Sequence, residues 1–206
     1  MLIKMVKKRT FLILSSLIIL LIVYLFPTKK EDKTYIQNEN TDFSIIYLID
    51  QNNLLSRVSV VTKNTNIDNQ IKEITEYLTY GSNKKDYLSD GFKPVIPKGT
   101  KLLYFKIDDD LLTLNFSKKL LTITEEDEKK LISSLVYTYT SIDGINKITI
   151  YVEGNLLDRL PNSNEKIPQI IDKSYGINQI YNITDINGTT KTTIYYLSKY
   201  KDYYYY

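Results

Sequence analysis

The first part of the chain body has the hydrophobic pattern of two strands followed by a helix. Residues 43–50 and 54–62 are rich in β-branched and aromatic side chains and flank a polar turn, which predicts a strand, a turn and a strand. The capping candidates Thr65 and Asn66 precede the predicted helix, and Gly81 follows at the position expected to end it. Apolar residues recur with the period of one helix face at Ile67, Ile71, Ile74 and Leu78.

The same order of patterns repeats over residues 101–152. Residues 101–116 alternate around the turn Asp108–Asp110, which predicts a hairpin. A second helix is predicted to begin at Thr122 or Thr124 and to bury Leu131, Leu135, Val136 and Tyr139. Residues 145–152 read as a final strand. The predicted order is therefore β-β-α-β-β-α-β, and the expected fold class is α+β, a two-layer domain of sheet and helices over residues 43–160.

An uncharged apolar segment, residues 11–26, precedes this body. It would rise about 24 Å as a helix at ~1.5 Å per residue. Basic residues flank it, Pro27 follows at once, and no small-residue cleavage site is present. These features predict a basic cytoplasmic stub followed by a transmembrane anchor over residues 1–27, rather than a cleaved signal peptide, which stays the alternative. The basic N-terminal stub predicts that the polar linker 28–42 and the rest of the chain lie outside the cytoplasmic membrane.

Composition and charge exclude several kinds of chemistry. The chain contains no Cys and no His, which excludes disulfides, thiolate or imidazole metal sites, and Ser-His-Asp or Cys-His catalysis. Six of its 27 basic residues lie in residues 1–30, which contain no acid, so 21 basic residues face 24 acids in the remainder and give it a net charge of −3. A mildly acidic body lacks the basic surface that nucleic acid requires. We therefore expect no nucleic-acid partner, no metal and no cofactor.

Three polar motifs have both a chemical and a structural interpretation. Ser82–Lys85 fits the S-x-x-K nucleophile pattern but lacks the K-T-G and S-D-N motifs that accompany it in penicillin-binding proteins. Asp108–Asp110 has hard oxygen ligands but not the alternating spacing or the glycine of a calcium loop, so we expect a solvated turn. Glu125–Glu128 offers the paired carboxylates of a glycosidase. Acids at a helix start are also stabilised by the helix dipole, so we expect capping there, with pairs Glu125–Lys129 and Glu126–Lys130.

Aromatic side chains are the remaining candidates for a binding site. A groove for sugar or peptide would need several of them on one surface, whereas their alternating positions favour packing in the domain. The residues concerned are Tyr104, Phe105, Tyr137, Tyr139 and Tyr151. No catalytic, cofactor-binding or metal-binding residue is predicted, and we do not expect an enzyme.

Four segments together resemble the GerMN domain family of sporulation and germination proteins. They are YLIDQNNLLSRVSVV at 47–61, VIPKGTKLLYFKIDDDLLTLNFSKKL at 95–120, LISSLVYTYTS at 131–141 and INKITIYVEG at 145–154. The resemblance implies a fold similar to the ring-building domains of secretion and sporulation machines. It also implies a membrane-anchored structural protein of the cell envelope, with self-association or envelope proteins as partners. The alternative is a monomeric binding module for cell-wall glycan, peptide or a small envelope ligand.

The end of the chain contains a partial repeat of its beginning. Asn187-Gly188 is a strong hairpin signal, and Thr193–Leu197 (TIYYL) is similar to Ser44–Leu48 (SIIYL). Residues 189–206 are therefore expected to be the opening strands of a truncated second domain, joined by a connector at 161–188. The alternatives are a strand added to the first domain and a disordered tail.

Overall fold

The computed structural model describes residues 15–17, 20–21, 42–63, 66–179, 198–200 and 203–205. The chain forms two compact units, Met1–Asn38 and Glu39–Tyr206. In the first unit, residues 15–17 and 20–21 are helical. Most of the predicted anchor at 11–26 lies outside the described residues, and within the described part no helix has the length and apolar character needed to cross a membrane.

The elements of the second unit follow the predicted order. Two strands, β1 and β2, precede helix α1; strands β3 and β4 precede helix α2; and strand β5 follows, extended by a short strand β6 that the sequence pattern did not indicate. The mixed α+β class is thereby confirmed. The bounds are β1 Asp42–Ile49, β2 Leu55–Thr62, α1 Ile67–Leu78, β3 Leu102–Asp108, β4 Leu111–Phe116, α2 Glu125–Tyr139, β5 Lys147–Val152 and β6 Asn155–Leu156.

Strands β1 to β6 form two sheets. β1 and β2 are an antiparallel hairpin. The second sheet has the order β3-β4-β5-β6, in which β4 and β5 are parallel because α2 crosses between them, and the outer pairs are antiparallel. The pairing of β3 with β4 shifts between Leu102 and Tyr104, which leaves Leu103 as a bulge.

The core lies between the helices and one face of each sheet. Alternate residues of β4 and β5 face the helices and are buried, whereas their neighbours in sequence face the other way. The two helices are joined inside the core by a hydrogen bond of 2.7 Å between the hydroxyls of Thr75 and Tyr139. The predicted buried faces are confirmed except at Ile67, the first residue of α1, which is 37% exposed. Each of the other side chains is at most 3% exposed: Ile71, Ile74, Leu78, Leu131, Leu135, Val136 and Tyr139.

The ends of α1 agree with the prediction at one end only. Asn66 caps the N-terminus, and its side-chain oxygen accepts a hydrogen bond of 2.8 Å from the backbone N–H of Asn69. At the other end Thr79 is the capping residue, in an extended conformation. Gly81 therefore lies beyond the position that was predicted for it, and its positive φ of 73° serves the following turn instead.

Residues at and beyond the predicted domain boundary at 160 are packed in the core. Leu160, Ile167 and Ile171 are each 2% exposed. Ile171 also pairs antiparallel with Ile148 of β5, with two backbone hydrogen bonds of 2.8 Å. The described part of the predicted connector, up to residue 179, thus belongs to the packed unit.

Asn178 continues this packing on the outer side of β2. Its side-chain amide donates to the carbonyl oxygen of Leu55 and accepts from the N–H of Leu55, both at 2.8 Å. The backbone of Asn178 has a φ of 51°, a left-handed conformation that Asn adopts more readily than most residues. One side chain therefore takes the place of a neighbouring strand at the start of β2.

Removing this amide is expected to destabilise the domain modestly. We expect Asn178→Gly, which tolerates the same φ, to lower the free energy of unfolding by about 1 kcal/mol through the two lost hydrogen bonds. Asn178→Ala should cost more because alanine is strained at positive φ. Urea denaturation followed by circular dichroism measures both variants. Equal free energies of unfolding for Asn178→Gly and the unmodified chain would contradict the role assigned to this amide.

Helix α2 covers the outer edge of β1. The hydroxyl of Ser134 donates to the carbonyl oxygen of Tyr47 at 2.6 Å, and the hydroxyl of Thr138 accepts from the N–H of Tyr47 at 3.0 Å. Ser134 and Thr138 are both completely buried. Two helix hydroxyls thus take the place of a neighbouring strand.

The predicted second repeat at 189–206 lies mainly outside the described residues. The described parts form a short antiparallel hairpin of β7, Ser198–Tyr200, and β8, Tyr203–Tyr205. The backbone of β8 lies close to β2.

Candidate functional site

The acidic start of α2 is held by structural partners. Thr124 is the N-cap residue, one of the two predicted starts, although its side chain makes no capping hydrogen bond. Asp127 contacts Lys130 at 3.0 Å and Lys93 at 3.2 Å. Burial alone raises the pKa of Asp127, but the bonds from Lys130 and Lys93 lower it overall. The predicted pair Glu126–Lys130 is present at 3.7 Å, whereas Lys129 pairs with Glu165 at 2.7 Å.

Glu128 is the most buried acid of this group. It is only 1% exposed. Its carboxylate accepts hydrogen bonds from the backbone N–H and the side-chain amide of Asn162 and from the N–H of Ser163 at 3.1 Å. Glu128 therefore fixes the loop at 160–163 rather than facing a cleft as a catalytic carboxylate would.

The other two polar motifs are also engaged in the fold. Asp110 accepts the backbone N–H groups of Asn146 and Lys147 through its carbonyl, and its side chain contacts the Lys147 ammonium at 3.3 Å. Asp109 and Asp110 therefore form the turn after β3, and Asp110 secures the start of β5. The described residues contain no cluster of acids able to hold a metal ion. In the segment 82–85 the hydroxyl of Ser82 donates to the carbonyl of Glu76 at 2.6 Å.

Two shallow depressions lie on the surface beside α1 and the residues that follow it. One, of about 230 Å³, is lined by the loop from Leu88 to Pro94 together with Tyr80 and Gly81. The other, of about 370 Å³, is lined by charged side chains, among them Lys84, which is bonded to Glu73. The Lys84 ammonium also lies 5.1 Å from the centre of the Tyr77 ring. Burial alone lowers the pKa of Lys84, but its bond with Glu73 raises it overall, so this lysine is held in its charged form.

The five aromatic candidates do not share one groove. Tyr139 is completely buried, and Phe105 packs against the core. Tyr137 makes an edge-on contact with Tyr47, with ring centres 5.4 Å apart. Packing, the predicted role, accounts for these three. Tyr104 and Tyr151 differ, because they lie on the sheet face that points away from the helices, on either side of Asn115.

This outer sheet face and the adjoining edge of β3 form a candidate interaction surface of the described domain. Tyr104 is 54% exposed, and the side chain of Lys106 is exposed to the same extent. β3 is the end strand of its sheet, and none of the described residues pairs with its outer edge. We call this region the β3 surface. Its position could not be predicted, because the sequence does not reveal which strand is outermost.

Comparison with known proteins identifies relatives of this domain. A family model described as "Sporulation and spore germination" matches residues 45–158, more than half of the chain. The spore germination protein GerM of Bacillus subtilis strain 168 is 28% identical over 171 residues, which are 82% of this chain and 46% of that protein. The chain thus spans less than half of the length of this curated relative.

Two solved structures have the same fold. The tandem GerMN domains of the sporulation protein GerM from Bacillus subtilis match with a TM-score of 0.73 and 27% identity, over 80% of this chain and 59% of that one. The first GerMN domain of the same protein matches with a TM-score of 0.59 and 25% identity, over 65% of this chain and 99% of that one. The expected resemblance to GerMN domains is confirmed.

Proposed function

Because the chain belongs to the sporulation and spore germination family whose model matches residues 45–158, we propose that it is a structural protein of the bacterial envelope that acts in sporulation or germination. In this proposal the apolar segment 11–26 anchors it in the cytoplasmic membrane with the folded domain outside, and copies or envelope proteins assemble on the domain. The family match carries the proposal, and the β3 surface supplies the place for assembly.

The engagement of the polar side chains supports a non-enzymatic role. The acids that could act as catalysts, Asp127 and Glu128, hold lysines and backbone amides of their own domain. A catalytic carboxylate needs access to substrate in a cleft. Neither residue meets that condition, because both are at most 9% exposed.

The β3 surface supports an assembly role. An unpaired strand edge presents a row of N–H and C=O groups, which another strand is able to extend. Lys106 lies in the middle of β3, and its side chain is 54% exposed. The edge is therefore accessible, and none of the described residues pairs with it.

The proposal predicts that the full-length chain forms a defined oligomer. Multi-angle light scattering of detergent-solubilised protein over a concentration series measures its mass, and electron microscopy shows the shape of any closed species. Growth to a closed oligomer is the expected result. A monomer at every concentration, alone and with envelope extract, would contradict assembly and favour the monomeric binding module.

The membrane part of the proposal has a separate test. We expect the chain to remain in the membrane fraction after carbonate extraction of cells, and protease added outside the cytoplasmic membrane to digest the folded domain. Release by carbonate, or protection from external protease, would contradict the proposed anchoring or orientation.

A further inference from the structure

One end of the β3-β4-β5 sheet has an unusual concentration of positive charge. Lys101 lies beside Ser117 and is joined to it by two hydrogen bonds. The backbone N–H of Lys101 donates to the Ser117 hydroxyl at 3.0 Å, and the backbone N–H of Ser117 donates to the Lys101 carbonyl at 2.9 Å. Lys118 and Lys119 follow directly, and Lys98 lies one turn before Lys101. These four lysines are exposed, and within the described residues none of them takes part in an ion pair.

The charge of this end opposes that of the rest of the body. Glu153 contacts this end of the sheet, because its carboxylate accepts a hydrogen bond of 2.9 Å from the backbone N–H of Lys118. Four lysines and this one acid leave a local charge of +3, whereas the chain after residue 30 has a net charge of −3. A concentrated patch on an acidic body attracts an extended polyanion at one place and in one orientation.

Apolar side chains stand next to these lysines. The bulge at the start of β3 places Leu103 outside the sheet pairing, and Leu103 and Tyr104 are about half exposed. The stem of Lys98 packs over Gly81, since its carbons lie 3.4 Å from the position that a Cβ on Gly81 would occupy. We call the six residues Lys98, Lys101, Leu103, Tyr104, Lys118 and Lys119 the lysine end.

We propose that the lysine end docks the domain on an anionic lipid bilayer, with the lysines on lipid phosphates and with Leu103 and Tyr104 in the headgroup region. Positive charge beside Tyr and an aliphatic side chain is the chemistry of an interfacial membrane contact. A soluble polyanion would need the lysines but would offer nothing to the exposed leucine. The choice of a bilayer therefore depends on the combination of charge with Leu103 and Tyr104.

The inference extends the proposed function, because it assumes a domain held near a membrane. Residues 28–42 span at most about 50 Å when fully extended, so a chain anchored at 11–26 keeps its domain within reach of the bilayer. Contact at the lysine end would then fix which side of the domain faces the membrane and which sides remain for assembly.

A single-site fluorescent probe tests the contact directly. The chain has no cysteine, so Leu103→Cys provides one labelling position for an environment-sensitive dye. Asp143→Cys is the matched control, because Asp143 is exposed and follows α2 at the opposite end of the sheet, near the start of β5. The labelled full-length chains are reconstituted in vesicles of phosphatidylcholine with and without phosphatidylglycerol.

The expected result is a blue shift of the dye at position 103 only in vesicles that contain phosphatidylglycerol, reversed at high salt, with no shift at position 143. The triple change of Lys101, Lys118 and Lys119 to Gln should abolish the shift. Changing Lys63, Lys166 and Lys173 to Gln removes the same amount of charge elsewhere on the domain and should leave the blue shift unchanged. A shift that is absent, independent of anionic lipid, or lost equally in both triple variants would overturn the proposal. Flotation of the chain with vesicles after carbonate treatment reports the anchor separately, so failure of one proposal is distinguishable from failure of the other.

Discussion

Replacing Glu128 by alanine is expected to lower the free energy of unfolding by about 3 kcal/mol. The substitution removes a buried carboxylate and with it the hydrogen bonds from Asn162 and Ser163. Hydrogen bonds to a charged group contribute about 1.5–3 kcal/mol each, and buried donors that lose their acceptor are costly. Urea denaturation monitored by circular dichroism measures the change.

Glu125→Ala is the matched control for this prediction. Glu125 is exposed and lies in the same first turn of α2, so its loss should change the free energy of unfolding by less than about 0.5 kcal/mol. A similar effect at both positions would show that these acids stabilise the domain through the helix dipole and not through the loop at 160–163.

Glu128 also predicts a pH dependence. Burial alone raises the pKa of Glu128, but the hydrogen bonds from Asn162 and Ser163 outweigh it and bring the pKa below the ordinary value of 4.5. The unfolded chain therefore takes up this proton at higher pH than the folded one. The stabilisation is fully present above about pH 4.5 and is lost as the pH falls through the lowered pKa. Glu128→Gln should remove this part of the acid sensitivity, measured as a smaller loss of stability between pH 5 and 3.

The double variant Ser134→Ala, Thr138→Val is expected to lower the free energy of unfolding by about 2–4 kcal/mol. Both hydroxyls bond to the backbone of Tyr47, and both are completely buried, so water does not readily replace them. Valine has nearly the shape of threonine, which confines the change to hydrogen bonding. The measurement is the same urea denaturation.

Ser133→Ala provides the control on the same helix. Ser133 is also buried, at 6% exposure. We expect it to cost less than half as much as the double variant. Equal stability of the double variant and this control would show that the hydroxyls of Ser134 and Thr138 do not stabilise the edge of β1.

Local sequence patterns were sufficient for the order of elements. The helix period at Ile71, Ile74 and Leu78 and the alternation in β4 each depend on neighbours in the chain, and the structure confirms them. The N-cap at Asn66 is equally local, because its partner is three residues away. Features of this kind are readable before the fold is known.

Contacts between distant residues were not predictable in the same way. The partners of Glu128 lie 34 and 35 residues away, and Asn178 bonds to a residue 123 positions earlier. Neither has a periodic signal, so Glu128 was expected only to cap its helix and residues 161–188 only to connect. The lysine end could not be predicted from the sequence, because Lys101 and Lys118 become neighbours only when β3 pairs with β4.

The position of β3 at the end of its sheet limits how copies of this chain could assemble. Two identical strand edges pair antiparallel about a two-fold axis, and that contact is isologous and complete at two copies. A closed ring of more copies needs a heterologous contact, in which two different surfaces of the protein meet. Pairing of β3 with β3 would therefore give dimers, and any ring would need to join the β3 surface to another part of the domain. An odd number of subunits in such a ring would leave at least one subunit without an edge-to-edge partner.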